Sequence, residues 1–212
     1  MEYSKKDLTP IWVYFAVLIG LGFVFGMFLG FKGITDVSKY TNILNILSEV
    51  IIFFIFLIIY KKNVIKDFKR LNKKSLIFII ISFIIIYAGN YILSNLFEKM
   101  NIVSENQNTI VDMLSEYKLT GFLTTVVFAP FIEELMFRYS IRTFIKNDIV
   151  FLIVSSLLFG VLHGVNKFLI IYVLIGAALG YVFLKEKDNV ASSMIVHMLN
   201  NLVSVSLILL LS

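Results

Sequence analysis

Apolar residues in this chain come in long blocks, and short polar stretches separate the blocks. A block of about 20 apolar residues matches the thickness of a bilayer when coiled as a helix. Seven such helices are predicted, over residues 11–31, 43–60, 76–97, 119–146, 149–165, 168–184 and 190–211. The fold class expected is therefore all-α, a polytopic transmembrane bundle of about seven helices. No linker or low-complexity run divides it. Residues 1–118 are read as the first three spans plus an external amphipathic segment, and residues 119–212 as a core of four spans, together forming one integral bundle.

Smaller features refine this outline. The first block is too long for a signal peptide and lacks its cleavage pattern, so it is read as a retained helix. Trp12 and Tyr14 suit an interfacial belt. Gly22, Gly26 and Gly30 form a small-residue face in the first helix, and Gly176 and Gly180 form another in the sixth. Such faces let neighbouring helices approach closely. Ile102, Ile110, Val111, Met113 and Leu114 suggest a short surface-lying helix within the polar segment 98–118. A kink is expected near Pro130, which has no backbone donor.

Composition agrees with a membrane protein. Of 212 residues, 59% are hydrophobic, and the mean hydropathy is +0.91. The net charge of +5 comes from basic residues clustered between the apolar blocks, most densely at Lys61, Lys62, Lys66, Lys69, Arg70, Lys73 and Lys74. Basic loops mark the cytoplasmic side. With Lys5 and Lys6 inside as well, the N-terminus is expected in the cytoplasm and the C-terminus outside, in a multi-pass protein of the cell membrane. No soluble basic domain exists to bind nucleic acid. The chain has no cysteine, which excludes disulfides and thiol nucleophiles.

Ionisable side chains inside the apolar blocks then stand out, because they are costly in hydrocarbon and normally pair or do chemistry. Glu133, Glu134 and Arg138 lie in the fourth block, and the only two histidines, His163 and His197, lie in the fifth and seventh. Counting inward from the basic ends at about 1.5 Å per residue puts Glu133, His163 and His197 at depths of roughly 20, 22 and 15 Å. All three therefore fall near mid-bilayer. Glu134 and Arg138 are four residues apart, with the acid first, an arrangement that favours an ion pair. Glu133 points about 100° away around the helix and is left for chemistry. Phe159 shares a face with His163, and Asn201 shares one with His197. Glu49, in the second block, is expected to be interfacial or hydrogen-bonded rather than catalytic.

EELMFR at Glu133–Arg138, FGVLH at Phe159–His163 and HMLNN at His197–Asn201 resemble three motifs, EExxxR, FxxxH and HxxxN. In this order they are similar to those of the CAAX protease and bacteriocin-processing enzyme (CPBP, or Abi) family of intramembrane proteases, which includes Rce1-like prenyl-protein endopeptidases. The resemblance covers roughly residues 120–205. It implies that residues 119–212 are the catalytic core and that a peptide bond is hydrolysed in or at the membrane. Glu133 would be the general base and His163 would assist it or hold the water. His197 and Asn201 would stabilise the oxyanion, with Glu134, Arg138 and Phe159 in support. The cofactor question stays open. Glu133, His163 and His197 are of the types that ligate catalytic Zn2+, yet a carboxylate and an imidazole also activate water with no cofactor.

The implied partners are the lipid bilayer and a membrane-associated peptide or protein substrate, such as a CAAX-type, bacteriocin or pheromone precursor. The oligomeric state has no signature in the sequence. The alternative is a non-catalytic membrane protein that gives bacteriocin self-immunity or regulates a membrane partner. A transporter is disfavoured, because no inverted repeat with paired broken helices is present.

Overall fold

The computed structural model of the chain describes residues 6–36, 38–102 and 104–211. Lys5, one of the lysines used to orient the N-terminus, lies outside them. Eight helices account for most of the described chain: α1 (Thr9–Phe31), α2 (Ser38–Arg70), α3 (Lys73–Lys99), α4 (Glu105–Glu116), α5 (Lys118–Phe144), α6 (Asp148–Leu162), α7 (Leu169–Lys185) and α8 (Val190–Leu211). The all-α reading is correct. Five helices, α1, α2, α3, α5 and α8, have the length and hydropathy of a full crossing. The expected count of seven is met only if α6 and α7 are added. These two are apolar but have 15 and 17 residues, about 22 and 25 Å, against a hydrocarbon core of about 30 Å.

Helices α5 and α8 form the centre. Helix α8 packs against α2, α3, α5 and α7, and α1 packs on α2 and α5. Around them the surface is apolar, with Ile58, Ile77, Ile85, Ile92 and Ile149 all well exposed. An apolar surface of that extent belongs in lipid.

The basic stretch after the second apolar block is not a loop. Helix α2 continues through it to Arg70, because Lys and Arg are good helix formers and complement the C-terminal end of the helix dipole. Only Leu71 and Asn72 interrupt the helices, and Asn72 caps α3 by accepting from the Lys74 and Ser75 N–H groups. Asp67 inside this stretch is fully buried. Its carboxylate accepts the Val190 N–H at 3.0 Å and so holds the N-terminus of α8. Arg70 bonds both Asp67 and the Lys187 carbonyl, and Arg142 pairs with Asp148 and Asp188. These bonds gather the basic helix ends at one end of the bundle.

The expected surface helix is present as α4, capped by the Ser104 hydroxyl. The two glycine faces differ. A Cβ built on Gly22, Gly26 or Gly30 meets nothing within 4 Å, so no helix presses on that face of α1. On α7, a Cβ at Gly176 would lie 3.1 Å from the Ser156 Cα, and one at Gly180 2.9 Å from Leu152. The small residues let α6 and α7 pair closely. That pair positions His163.

Helix α5 contains the expected irregularity, but as widened turns. Thr124–Phe128 and Leu135–Ser140 are π-helical. The Ala129 N–H bonds the Thr124 carbonyl, five residues back, and the next residue, Pro130, has no N–H to give. The Thr125 carbonyl is thereby left without a main-chain donor.

Before α1, Asp7 ties the chain start to the bundle. Its Oδ2 accepts the hydroxyls of Tyr60 at 2.9 Å and Tyr139 at 3.1 Å. Burial pushes its carboxyl up, but hydrogen bonds from Thr9, Tyr60 and Tyr139 outweigh this and hold it below its ordinary 3.8. A lowered carboxyl stabilises the fold above the ordinary value, and the contribution is lost as pH falls through the lowered one.

Two outcomes follow from this packing. Gly176→Val should lower the unfolding temperature in detergent, at a cost of about 1–3 kcal/mol for overpacking, and Gly26→Val should leave it unchanged. Asp7→Asn should flatten the loss of stability on acidification below about pH 4, measured as unfolding temperature against pH. The difference should stay within about 1 kcal/mol, because Asp7 is partly solvated.

Candidate active site

The centre of the site is an ion pair inside α5. Glu134 and Arg138 are both 0% exposed, with Nε 3.1 Å from Oε2. Removing two charges from solvent is costly unless their hydrogen-bonding capacity is used. Here Arg138 Nη1 donates to Ser155 Oγ at 2.6 Å, and Ser155 Oγ donates to the Phe137 carbonyl at 2.8 Å. The guanidinium also lies over the Phe159 ring, 5.3 Å from its centroid. The other Glu134 oxygen, Oε1, is 3.2 Å from His197 Nδ1. A single carboxylate therefore holds both the arginine and a histidine of α8.

These partners assign the tautomers. Glu134 Oε1 is a carboxylate oxygen, so His197 donates through Nδ1. His163 donates through Nδ1 to the Phe159 carbonyl at 2.8 Å. In their neutral forms both imidazoles then carry a bare Nε2. Both Nε2 atoms lie 3.8 Å from the same atom, Glu133 Oε2. That oxygen is buried and has no hydrogen-bond partner among the described residues. Three acceptors thus converge without a donor. The separations are too long for direct hydrogen bonds but suit one intervening donor molecule.

His163 does not lie within α6. It follows the last helical residue, Leu162, and the chain then turns through Gly164 at φ +121°. Its ring is stacked between Phe159 and Tyr172, with centroids 4.4 and 4.6 Å away. The Tyr172 hydroxyl pairs with Ser104 Oγ at 2.7 Å, which joins α4 to the site.

Asn201, one turn beyond His197, donates from Nδ2 to the Thr125 carbonyl at 3.0 Å. That carbonyl is the one orphaned by Pro130. Asn201 thus crosslinks α8 to the widened turn of α5 and keeps a second N–H. The neighbouring Asn200 donates to Asn201 Oδ1 at 3.3 Å.

A cavity of about 530 Å³ opens beside these groups, between α3, α4, α7 and α8. His163, His197, Thr125, Asn200 and Asn201 are in its wall, and Glu133 is not. The opposite wall on α3 is polar, with Asn90, Ser94 and Asn95.

Ser155 and Tyr172 were not foreseen as site residues. A serine pair, Ser155 and Ser156, inside an apolar helix is the faint signal for the first; nothing in the sequence marks the second. Glu49 lies near enough to Glu133 for their charges to interact, and its Oε2 is buried without a hydrogen-bond partner among the described residues.

Glu133, His163 and His197 offer donors of the zinc type. However, among the described residues no three His, Cys, Asp or Glu side chains are gathered as a metal-binding group.

Comparison with known proteins gives a consistent placement. A family model described as type II CAAX prenyl endopeptidase Rce1-like matches residues 115–203. An uncharacterized protein of Mycoplasma capricolum is 30% identical over 99% of this chain and 69% of its own length. UPF0177 protein YaiH of Lactococcus lactis subsp. lactis is 30% identical over 67% of this chain, and a UPF0177 protein in the abiGi 5' region of subsp. cremoris is 30% identical over 65%. The matches span about 60% of these two Lactococcus proteins. No solved structure matches.

Removing one member of the buried pair should destabilise the fold strongly. Arg138→Leu or Glu134→Leu alone should each cost about 3–5 kcal/mol, by leaving a buried charge unpaired. The double variant should cost less than either single one, measured by denaturant unfolding in detergent.

Proposed function

Because the chain belongs to the Rce1-like family of multi-pass membrane proteins, we propose that it is an intramembrane endopeptidase in which Glu133 activates water against a peptide bond of a membrane-associated substrate. The observation that carries this reading is the position of Glu133 Oε2, 3.8 Å from both His163 Nε2 and His197 Nε2.

A water between these atoms has two protons to give and three acceptors facing it. Glu133 takes one proton as the water oxygen adds to the scissile carbonyl carbon. The bare Nε2 of His163 accepts the other hydrogen and orients the attack. The oxyanion that forms needs donors. Asn201 supplies its second amide N–H. His197, held through Nδ1 by the Glu134 carboxylate, lies beside it in the cavity wall. Collapse then breaks the C–N bond, and Glu133 returns its proton to the leaving amine. Arg138, Ser155 and Phe159 do not touch substrate in this scheme; they hold Glu134 and His163 in place.

The substrate enters through the cavity, whose size suits a short stretch of extended peptide. Bacteriocin and pheromone precursors are substrates of the right kind. The basic end of the bundle is assigned to the cytoplasm by the positive-inside rule.

The purified protein in liposomes should cleave members of a panel of short membrane peptides, followed by mass spectrometry. Glu133→Gln should lower the rate by about 10²–10⁴-fold. A strong chelator should leave the parent's rate unchanged. Loss of cleavage on chelation would assign Glu133, His163 and His197 to a metal instead. Host immunity to a bacteriocin that survives Glu133→Gln would replace the enzyme reading with the binding one.

A further inference from the structure

Asn200 is not part of the three sequence motifs, yet it is the more exacting of the two adjacent asparagines. It is only 6% exposed, lines the cavity beside His197, and its Oδ1 is buried without a hydrogen-bond partner among the described residues. A buried carbonyl oxygen left unsatisfied costs about 1–3 kcal/mol, so its orientation needs a cause.

The cause is a chain of hydrogen bonds that starts at Pro130. That residue and the widened turn before it leave the Thr125 carbonyl without a main-chain donor. Asn201 must present Nδ2 to this carbonyl, which fixes its amide and aims Oδ1 at Asn200. Asn200 must then present its own Nδ2 to Asn201 Oδ1. Its remaining oxygen has no freedom to be anything but an acceptor. The same cavity wall carries a second unsatisfied group, Thr125 Oγ1, 7% exposed at its residue and without a partner among the described residues. A hydroxyl can donate. An acceptor and a donor on one wall match the N–H and C=O of a peptide unit.

We infer that Asn200 Oδ1 binds a main-chain N–H of the substrate, and that Thr125 Oγ1 completes a subsite for extended polypeptide beside the reacting groups. This rests on the protease reading and adds what the cavity selects: an unpaired strand, because in a helix the substrate's N–H groups are already used. Side-chain identity plays no part in this contact.

The test uses the full-length protein in liposomes and a synthetic peptide that the parent cleaves, of about 20 apolar residues with short polar flanks. A set of ester analogues replaces one main-chain N–H at a time by oxygen. One analogue should raise the parent's KM about tenfold, the value of one buried hydrogen bond, and leave kcat nearly unchanged. Asn200→Ala should show the same raised KM with the unmodified peptide and no further loss with that analogue. Should Asn200→Ala fail to elute as a folded species, Asn200→Ser gives the same comparison. The inference is overturned if every analogue costs parent and variant alike, or if the variant cleaves with the parent's KM. A parent that cleaves no peptide removes the protease reading, and this inference with it.

Discussion

The buried bond between Glu134 and Arg138 is the constraint on which the rest of the site depends. It places a charge pair where no solvent competes, so the donors and acceptors around it depend on protein partners, and only Arg138 Nη2 of the pair has none among the described residues. Ser155, Phe159 and His197 provide those partners from two other helices. The pair therefore acts as a register mark. It sets how α6 and α8 sit against α5, and it decides which nitrogen of His197 faces Glu133. The chemistry of the neighbouring carboxylate is arranged by a residue that does not itself reach the cavity.

A second constraint comes from the backbone. Pro130 removes a donor where the bundle is most buried, and the helix widens instead of breaking. The freed carbonyl is used by Asn201, so an irregularity that would cost energy in isolation becomes an interhelical crosslink. Asp67 does similar work at the other end of α8, where it replaces solvent for the first N–H of that helix. Helix α8 is thus held at its start by α2 and near its middle by α5. His197 lies between those anchors.

Much of this was legible because helical rise is fixed. Similar depth could be counted for Glu133, His163 and His197, and the structure has both imidazoles 3.8 Å from the carboxylate. The pairing of Glu134 with Arg138 followed from spacing alone. What could not be read depended on contacts between helices far apart in sequence. Lys61–Arg70 looked like a loop because its charge is high, but the buried Asp67 and the favourable dipole keep it helical. Gly22, Gly26 and Gly30 have the spacing of a packing face and no helix against them, while Gly176 and Gly180 have both. Spacing describes one surface and says nothing of what meets it. Tyr172, which stacks on His163, carries no signal of its own for the same reason.

The order of groups along the cavity has a chemical consequence. Its wall includes both histidines but not Glu133. On the proposed reading, a polypeptide lying there meets imidazole first. Direct attack by a carboxylate oxygen on a carbonyl would give a mixed anhydride and requires van der Waals contact between the two. On the proposed reading, the buried Glu133 Oε2 meets a backbone only through a bridging molecule the size of water, which is the arrangement of general-base hydrolysis and not of covalent acyl transfer.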